Sequence, residues 1–355
     1  VQRTVLWRRV QLPNGALVPI HIAHIAAGIM LRDDKGKLFL DQDLVASRLL
    51  VLGPFEGLSE EGVEFDLSEL DGKGVILDTN IRTFDFPEKL NEWIVCDTTF
   101  RGTSEDRNEK ETEGALLGNN LFNEGLIRSR AQGRVATLRQ RLEFALLTRF
   151  RKKYPERWIL VDGPLFFIDK WRRRAANIYA KNLESSERNL EDKLLYRAVG
   201  LIKTHRLRPK HPEQVIKIGP AQRSPVVPIT KEVDIKGCRS EPDESGTYGG
   251  AHLTWYTRLL RNIPPPYGLF GLVRLDVHRT TLGLKRIDHL TPDNFKEYRP
   301  IIDGVTRAVW RERWPAVGHT NDYRKAVQIY PIEQIERVLK AMLVPRRLLA
   351  FILGD

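Results

Sequence analysis

The sequence predicts an α/β fold, a mixed sheet flanked by helices and interrupted by insertions. Three observations lead there. Apolar runs with strand-like patterning alternate with turn signals across residues 3–40. Residues 126–151 carry apolar positions at helical spacing. Short, wholly apolar runs then follow, first among them Trp158-Ile159-Leu160-Val161, which ends in Asp162-Gly163-Pro164-Leu165.

Taken in order, residues 3–12 and 17–32 are separated by Pro13-Asn14-Gly15, and Asn-Gly between apolar runs is the strongest short hairpin signal. A second turn, Asp33-Asp34-Lys35-Gly36, leads into Lys37-Leu38-Phe39-Leu40, which gives three antiparallel strands at the start. His21 and His24 lie in the second strand and point to opposite faces, so they read as packing residues and not as a shared metal site. Within residues 55–125, the runs Val75–Leu77 and Trp93–Cys96 end in Asp78 and Asp97, either strand-end carboxylates or turn residues. Residues 103–113 are charged and free of apolar side chains, as in an exposed insertion.

The helix over Leu126–Arg151 buries Val135, Leu138, Leu142, Ala145 and Leu146 on one stripe, with Glu143 at its rim. Glu143 is then either a solvated helix carboxylate or a ligand facing the strand that follows. That strand reads as central and buried on both faces. Asp162 at its carboxyl end stands where open α/β sheets hold their ligands, or else caps the Gly163-Pro164 turn.

Beyond it comes the basic cluster Lys170-Trp171-Arg172-Arg173-Arg174, then a strand over Tyr196–Ile202 ending in Lys203-Thr204-His205-Arg206. Cations at a strand end beside an aspartate suit a phosphate backbone, and His205 adds either a phosphate donor or an acid–base group. Residues 220–250, rich in Pro, Gly and Ser, read as a mobile surface loop. A strand pair follows at Leu253–Leu259 and Leu269–Val277, with Arg274 and Asp276 on one face as a surface pair or a groove lining. The tail holds polar helical sequence through Trp310 and Trp314. A last helix opens at Tyr330-Pro331-Ile332-Glu333 with apolar Ile335, Val338, Leu339 and Met342. Glu336 sits four residues before Lys340, the spacing of a helical ion pair.

Composition narrows the class. A chain of 355 residues that is 41% hydrophobic, with 14 Phe and 7 Trp, can build a packed core, which excludes a disordered protein. Its net charge of +11 calls for an anionic partner, nucleic acid first. Cys96 and Cys238 have no CxxC spacing, which argues against a zinc site or disulfide scaffold and fits a reducing cytoplasm. No apolar run approaches the ~20 residues of a membrane span, so no membrane association is expected. Val1 is not an initiator Met, and the chain is expected to begin within a longer protein.

Hairpin strands, a Glu-bearing helix, a strand ending in Asp and a C-terminal helix with a carboxylate suggest an RNase H-like arrangement. Five blocks carry the likeness further: Val161-Asp162-Gly163-Pro164-Leu165, the stretch Val199 to Arg206, Thr254 to Leu259, Gly271 to Val277, and Tyr330-Pro331-Ile332-Glu333. In this order they resemble the NurA-domain nucleases, RNase H-like DNA nucleases that partner the hexameric HerA ATPase. The resemblance implies one domain over residues 1–355 with insertions at about 45–125 and 207–250. It also implies Mn²⁺ or Mg²⁺ bound by Asp162, Glu143 and Glu336 as metal and catalytic residues, with two such ions activating water and stabilising the leaving oxygen.

DNA is expected to meet Lys203, His205, Arg206, Arg258, Tyr256 and Arg274, in a cytoplasmic homodimer serving DNA-end processing, repair or anti-phage defence. The family's opening Asp-Gly motif would fall before Val1, unless Asp78 or Asp97 takes its place. The His that often follows the Tyr-Pro is replaced here by Glu333 and Glu336, of which Glu336 is preferred. The alternative is an inactive nucleic-acid-binding or ATPase-docking subunit of the same fold. A Walker A stretch is missing from the sequence, so any ATP-driven motion belongs to a partner.

Overall fold

A computed structural model describes residues 1–11, 17–53, 93–97, 124–165, 190–203, 209–229, 252–259, 268–285, 287, 290–315 and 327–343. It has α/β content and falls into two compact units, Val1–Arg149 with Ile335–Asp355, and Phe150–Gln334.

The first unit is built on a four-stranded sheet in the order β1-β2-β3-β4, comprising Gln2–Gln11, Leu17–Arg32, Leu38–Gly53 and Trp93–Asp97. β1, β2 and β3 pair antiparallel, as the turn signals require, and β4 joins β3 in parallel. The third strand does not stop at Leu40. It runs on to Gly53 because Leu44, Ala46, Arg48, Leu50 and Leu52 alternate with less buried neighbours, which is strand period. His21 and His24 are both buried in β2, as packing residues should be. Helix α1 (Glu124–Lys153) buries Val135, Leu138, Leu142, Ala145 and Leu146, the stripe read from the sequence.

The second unit holds a five-stranded mixed sheet in the order β5-β6-β9-β8-β7. Its elements, in chain order, are β5 (Ile159–Asp162), α2 (Leu190–Leu195), β6 (Ala198–Ile202), α3 (Pro212–Val215), β7 (Val227–Pro228), β8 (His252–Arg258) and β9 (Leu272–His278). After these come a 3₁₀ turn at Arg279–Leu282, α4 (Phe295–Arg311), the two-stranded β10 (Arg313–Pro315) and β11 (Val327–Ile329), and α5 (Tyr330–Met342). β5 and β6 are parallel, whereas β9 runs antiparallel to both β6 and β8. Trp314 is therefore a strand residue and not a helical one. Residues 220–229, read as loop, instead lie along β8: Ser224 N–H donates to the Tyr256 carbonyl at 2.9 Å, and Val227 pairs with Thr254.

Every residue of β8 and β9 is buried. The odd-numbered face, with Leu253, Trp255, Val273, Leu275 and Val277, packs with Ile302, Val305 and Val309 of α4 and Ile332 of α5. Each such aliphatic side chain stabilises the unit by ~1.5–3 kcal/mol on burial. Two indole N–H groups lock α4 to β8: Trp255 donates to Thr306 at 3.0 Å, and Trp310 donates to Thr257 at 3.2 Å.

The even-numbered face is also buried, yet largely polar. The register places His252 opposite His278, Thr254 opposite Asp276, and Tyr256 opposite Arg274. The two imidazoles meet edge to face with centroids 5.1 Å apart. Burial holds His252 down at about 3, with the Arg279 charge adding to it, and holds His278 well below the usual histidine range. Both rings are neutral in the folded protein at physiological pH.

The unfolded chain protonates these histidines near pH ~6.5 and the folded one does not. Their contribution is therefore complete above that pH and is lost on acidification, by about 1.4 kcal/mol per pH unit for each ring. Burial also raises Asp276, which acts in the opposite direction. Urea unfolding at pH 7.5 and 5.5 separates the two: the His252→Leu variant should lose less stability between these pH values than the parent. Equal losses in parent and variant would remove His252 from the account.

Candidate functional site

The carboxylate that the sequence singles out, Asp162, lies at the end of the β5–β6 pair in the second unit. β5 is not the central, doubly buried strand read from the sequence. Among the described strands it forms an edge, half-buried, because β6 is its one ladder partner. Its terminal carboxylate escapes the penalty of burial, with the Asp162 side chain 46% exposed. Because β6 runs parallel beside it, Lys203, one residue past Ile202, reaches Asp162 Oδ1 at 3.2 Å. An exposed pair of this kind contributes at most ~1 kcal/mol. The pair sets local charge and orientation, and leaves the second carboxylate oxygen for other partners.

Two glycines shape this edge. Gly163 turns the chain at φ +134°, a conformation that side chains rarely adopt, and its N–H donates to the Leu201 carbonyl at 2.9 Å. Opposite it, a Cβ on Gly200 would lie 2.7 Å from the Gly163 carbonyl oxygen, so this position excludes every other residue without a backbone shift.

Glu143 and Glu336 belong to the first unit, whereas Asp162 belongs to the second. Glu143 is exposed on α1 and accepts from Arg139 at 2.6 Å, and the same arginine donates from Nε to Gln2 at 3.1 Å. Glu336 accepts from Lys340 at 2.9 Å, the four-residue pair its spacing allowed. Among the described residues, no three His, Cys, Asp or Glu side chains gather in a group able to hold a metal ion. Carboxylate oxygens suit Mn²⁺ or Mg²⁺, and the exposed Asp162 fits as one ligand. Asp97 ends β4 opposite Gly53, while Asp78, His205 and Arg206 lie outside the described residues.

Three expected DNA contacts are corrected. Arg258, Tyr256 and Arg274 are all at least 98% buried on the polar face of β8 and β9, where no phosphate reaches them. Arg258 donates to the backbone carbonyls of Ile218 at 2.5 Å, Gly268 at 2.9 Å and Ile216 at 3.1 Å, and also to that of Phe270. Arg274 grips Asp276 through Nε at 3.0 Å and Nη2 at 3.2 Å, and Thr254 adds a hydroxyl at 2.7 Å. The Arg274–Asp276 spacing therefore marks neither a surface pair nor a groove but a core ion pair. An arginine in an alternating strand carries no sequence signal that separates these outcomes, because the pattern assumes a solvated polar face.

A group that sequence reasoning missed lies elsewhere in the second unit. Arg151, Lys152, Lys193, Arg279 and Lys285 line one cleft of about 600 Å³. Their separation along the chain hides them from any motif. The basic last turn of α1, Arg151-Lys152-Lys153, was the available hint.

No protein-family model matches the chain, and no curated protein matches it. No described helix is long and apolar enough to cross a membrane.

The buried ion pair yields a direct test. Replacing Asp276 with Asn leaves the Arg274 guanidinium buried without its counter-charge, and should destabilise the protein by about 3–5 kcal/mol in urea unfolding. The double change Arg274→Met with Asp276→Leu should recover much of that loss. A single variant as stable as the parent would contradict the core assignment.

Proposed function

We propose that this protein is a metal-dependent DNA nuclease of RNase H-like fold, with Asp162 as a metal-holding carboxylate and Lys203 beside it meeting phosphate. The observation that carries the reading is the exposed Asp162–Lys203 pair at the carboxyl end of a parallel strand pair, in a chain of net charge +11. The pairing of a carboxylate with a cation suits phosphodiester chemistry: the first draws a hard divalent ion, the second compensates the phosphate charge. A bound Mn²⁺ or Mg²⁺ supplies an activated water and stabilises the leaving oxygen. This chain's own contribution is positional. Gly163 and Gly200 fix the turn that presents Asp162, and Lys203 limits the carboxylate's rotation through one oxygen.

The five-block resemblance extends the proposal to a cytoplasmic homodimer working with a HerA-type hexameric ATPase in DNA-end processing, repair or defence. A second reading, a DNA-binding or ATPase-docking subunit without cleavage, is favoured by one observation: Glu143 and Glu336 are both held in helical ion pairs.

Cleavage of end-labelled linear DNA tests the choice. The parent should cut with Mn²⁺ or Mg²⁺ and stop in chelator. Asp162→Asn should lose at least the ~10–100-fold that removal of even an outer-shell metal partner costs, with unfolding unchanged. Parental rates in that variant would overturn the assignment of Asp162, and DNA binding by a parent that never cuts would establish the second reading.

A further inference from the structure

The cleft on the second unit lies at the opposite end of the sheet from Asp162. Ile159 and Ala198 open the paired strands β5 and β6 there, and the antiparallel β9 delivers Arg279 to the same end. Asp162, opposite Leu201, closes the other end, ~10 Å away along a strand rising ~3.3 Å per residue. The cleft therefore joins residues from five places: the end of α1, the segment between α1 and β5, α2, the approach to β6 and the turn after β9.

Its charge is one-sided. Arg151, Lys152, Lys193, Arg279 and Lys285 line it, and Glu156 is its carboxylate. That carboxylate is already engaged, since Arg197 Nη1 lies 3.2 Å from Glu156 Oε2. Lys152, Lys193 and Lys285 are exposed, which leaves them free to turn toward a ligand.

The second observation is Arg151 itself. It is 4% exposed, and two of its three nitrogens are satisfied: Nε donates to the Leu194 carbonyl at 3.0 Å and Nη1 to the Arg157 carbonyl at 2.7 Å. Nη2 is buried and has no hydrogen-bond partner among the described residues. Buried polar groups are rarely left so, because the desolvation cost goes uncompensated. Burial and the neighbouring Arg197 lower Arg151 to about 10, so it remains a cation at neutral pH. A guanidinium that lines a cation-rich cleft, is fixed by two carbonyls and keeps one nitrogen unmatched is a preorganised donor for an oxyanion.

We propose that this cleft is a phosphate-binding site, in which Arg151 supplies the fixed donor and Lys152, Lys193 and Lys285 close on the charge. Several cations around one opening call for a multiply charged or repeating anion, a pyrophosphate-like compound or the backbone of a polynucleotide. The site does not depend on the cleavage reading, since it uses none of the residues assigned to that chemistry.

The test uses the full chain without divalent ions and two probes, pyrophosphate by calorimetry and a fluorescent single-stranded oligonucleotide by anisotropy. The variant is Lys193→Glu with Lys285→Glu, two exposed positions whose change should leave the unfolding transition in place. A loss of tenfold or more for pyrophosphate supports a small phosphate ligand. A comparable loss for the oligonucleotide alone supports a polynucleotide backbone, and the salt slope of its affinity should then fall by about two phosphate contacts. Less than a twofold change for both probes, or failure of the parent to bind either, overturns the proposal. Retained binding with no cleavage by any form would sink the nuclease reading and leave this one standing.

Discussion

The second unit depends on how two adjacent antiparallel strands handle polar side chains that cannot reach water. β8 and β9 are buried on both faces, so their strand period sends one set of residues into an apolar core and the other into a polar one. A guanidinium there is costly unless its hydrogen-bond sites are met. Two solutions appear side by side. Arg274 takes a carboxylate, Asp276, while Arg258 takes a set of backbone carbonyls. The second solution has a structural consequence. By gathering carbonyls from Ile216, Ile218, Gly268 and Phe270, Arg258 ties the segment after α3 and the turn before β9 to the end of β8. Two irregular segments far apart in the chain are held by one side chain.

From this centre the geometry passes outward. β9 sets the register of β6, with Leu275 opposite Leu201, and β6 sets that of β5, with Leu201 opposite Asp162. Asp162 is thus placed by two ladder steps from a rigid core, yet stands at an edge where its carboxylate meets solvent. Rigid support with an open end is what a ligand-holding group requires, since orientation is fixed by the scaffold and access is left free. The other end of the same strands opens on the cleft around Arg151. The two ends of one sheet then differ in character, with a carboxylate paired to a lysine at one and a set of cations at the other.

Much of this frame was legible in the sequence. Turn chemistry announced the opening hairpins, and the stripe from Val135 to Leu146 announced α1. The neighbourhood of Lys203 and Asp162 followed from two short apolar strands lying side by side. Edge and centre were not legible: the apolar run before Asp162 looks like a doubly covered strand, but an edge strand half-covered by its surroundings has the same composition. Arg258, Tyr256 and Arg274 were misassigned for a related reason. Alternation of polar and apolar residues signals one dry face and one wet face, and it fails where a second buried layer satisfies the polar side from within. The Arg151 cleft was invisible because its residues meet only through the ladder.

The central claim is that Asp162 holds a divalent ion. The most direct measurement is titration of isotope-labelled protein with Mn²⁺, read as paramagnetic broadening of individual amide signals. The account predicts that Asp162, Gly163 and Lys203 broaden first, and that the effect vanishes in Asp162→Asn and on adding chelator. Broadening that spares these three residues at every Mn²⁺ concentration, in protein that nonetheless cuts DNA, would place the chemistry elsewhere and contradict it.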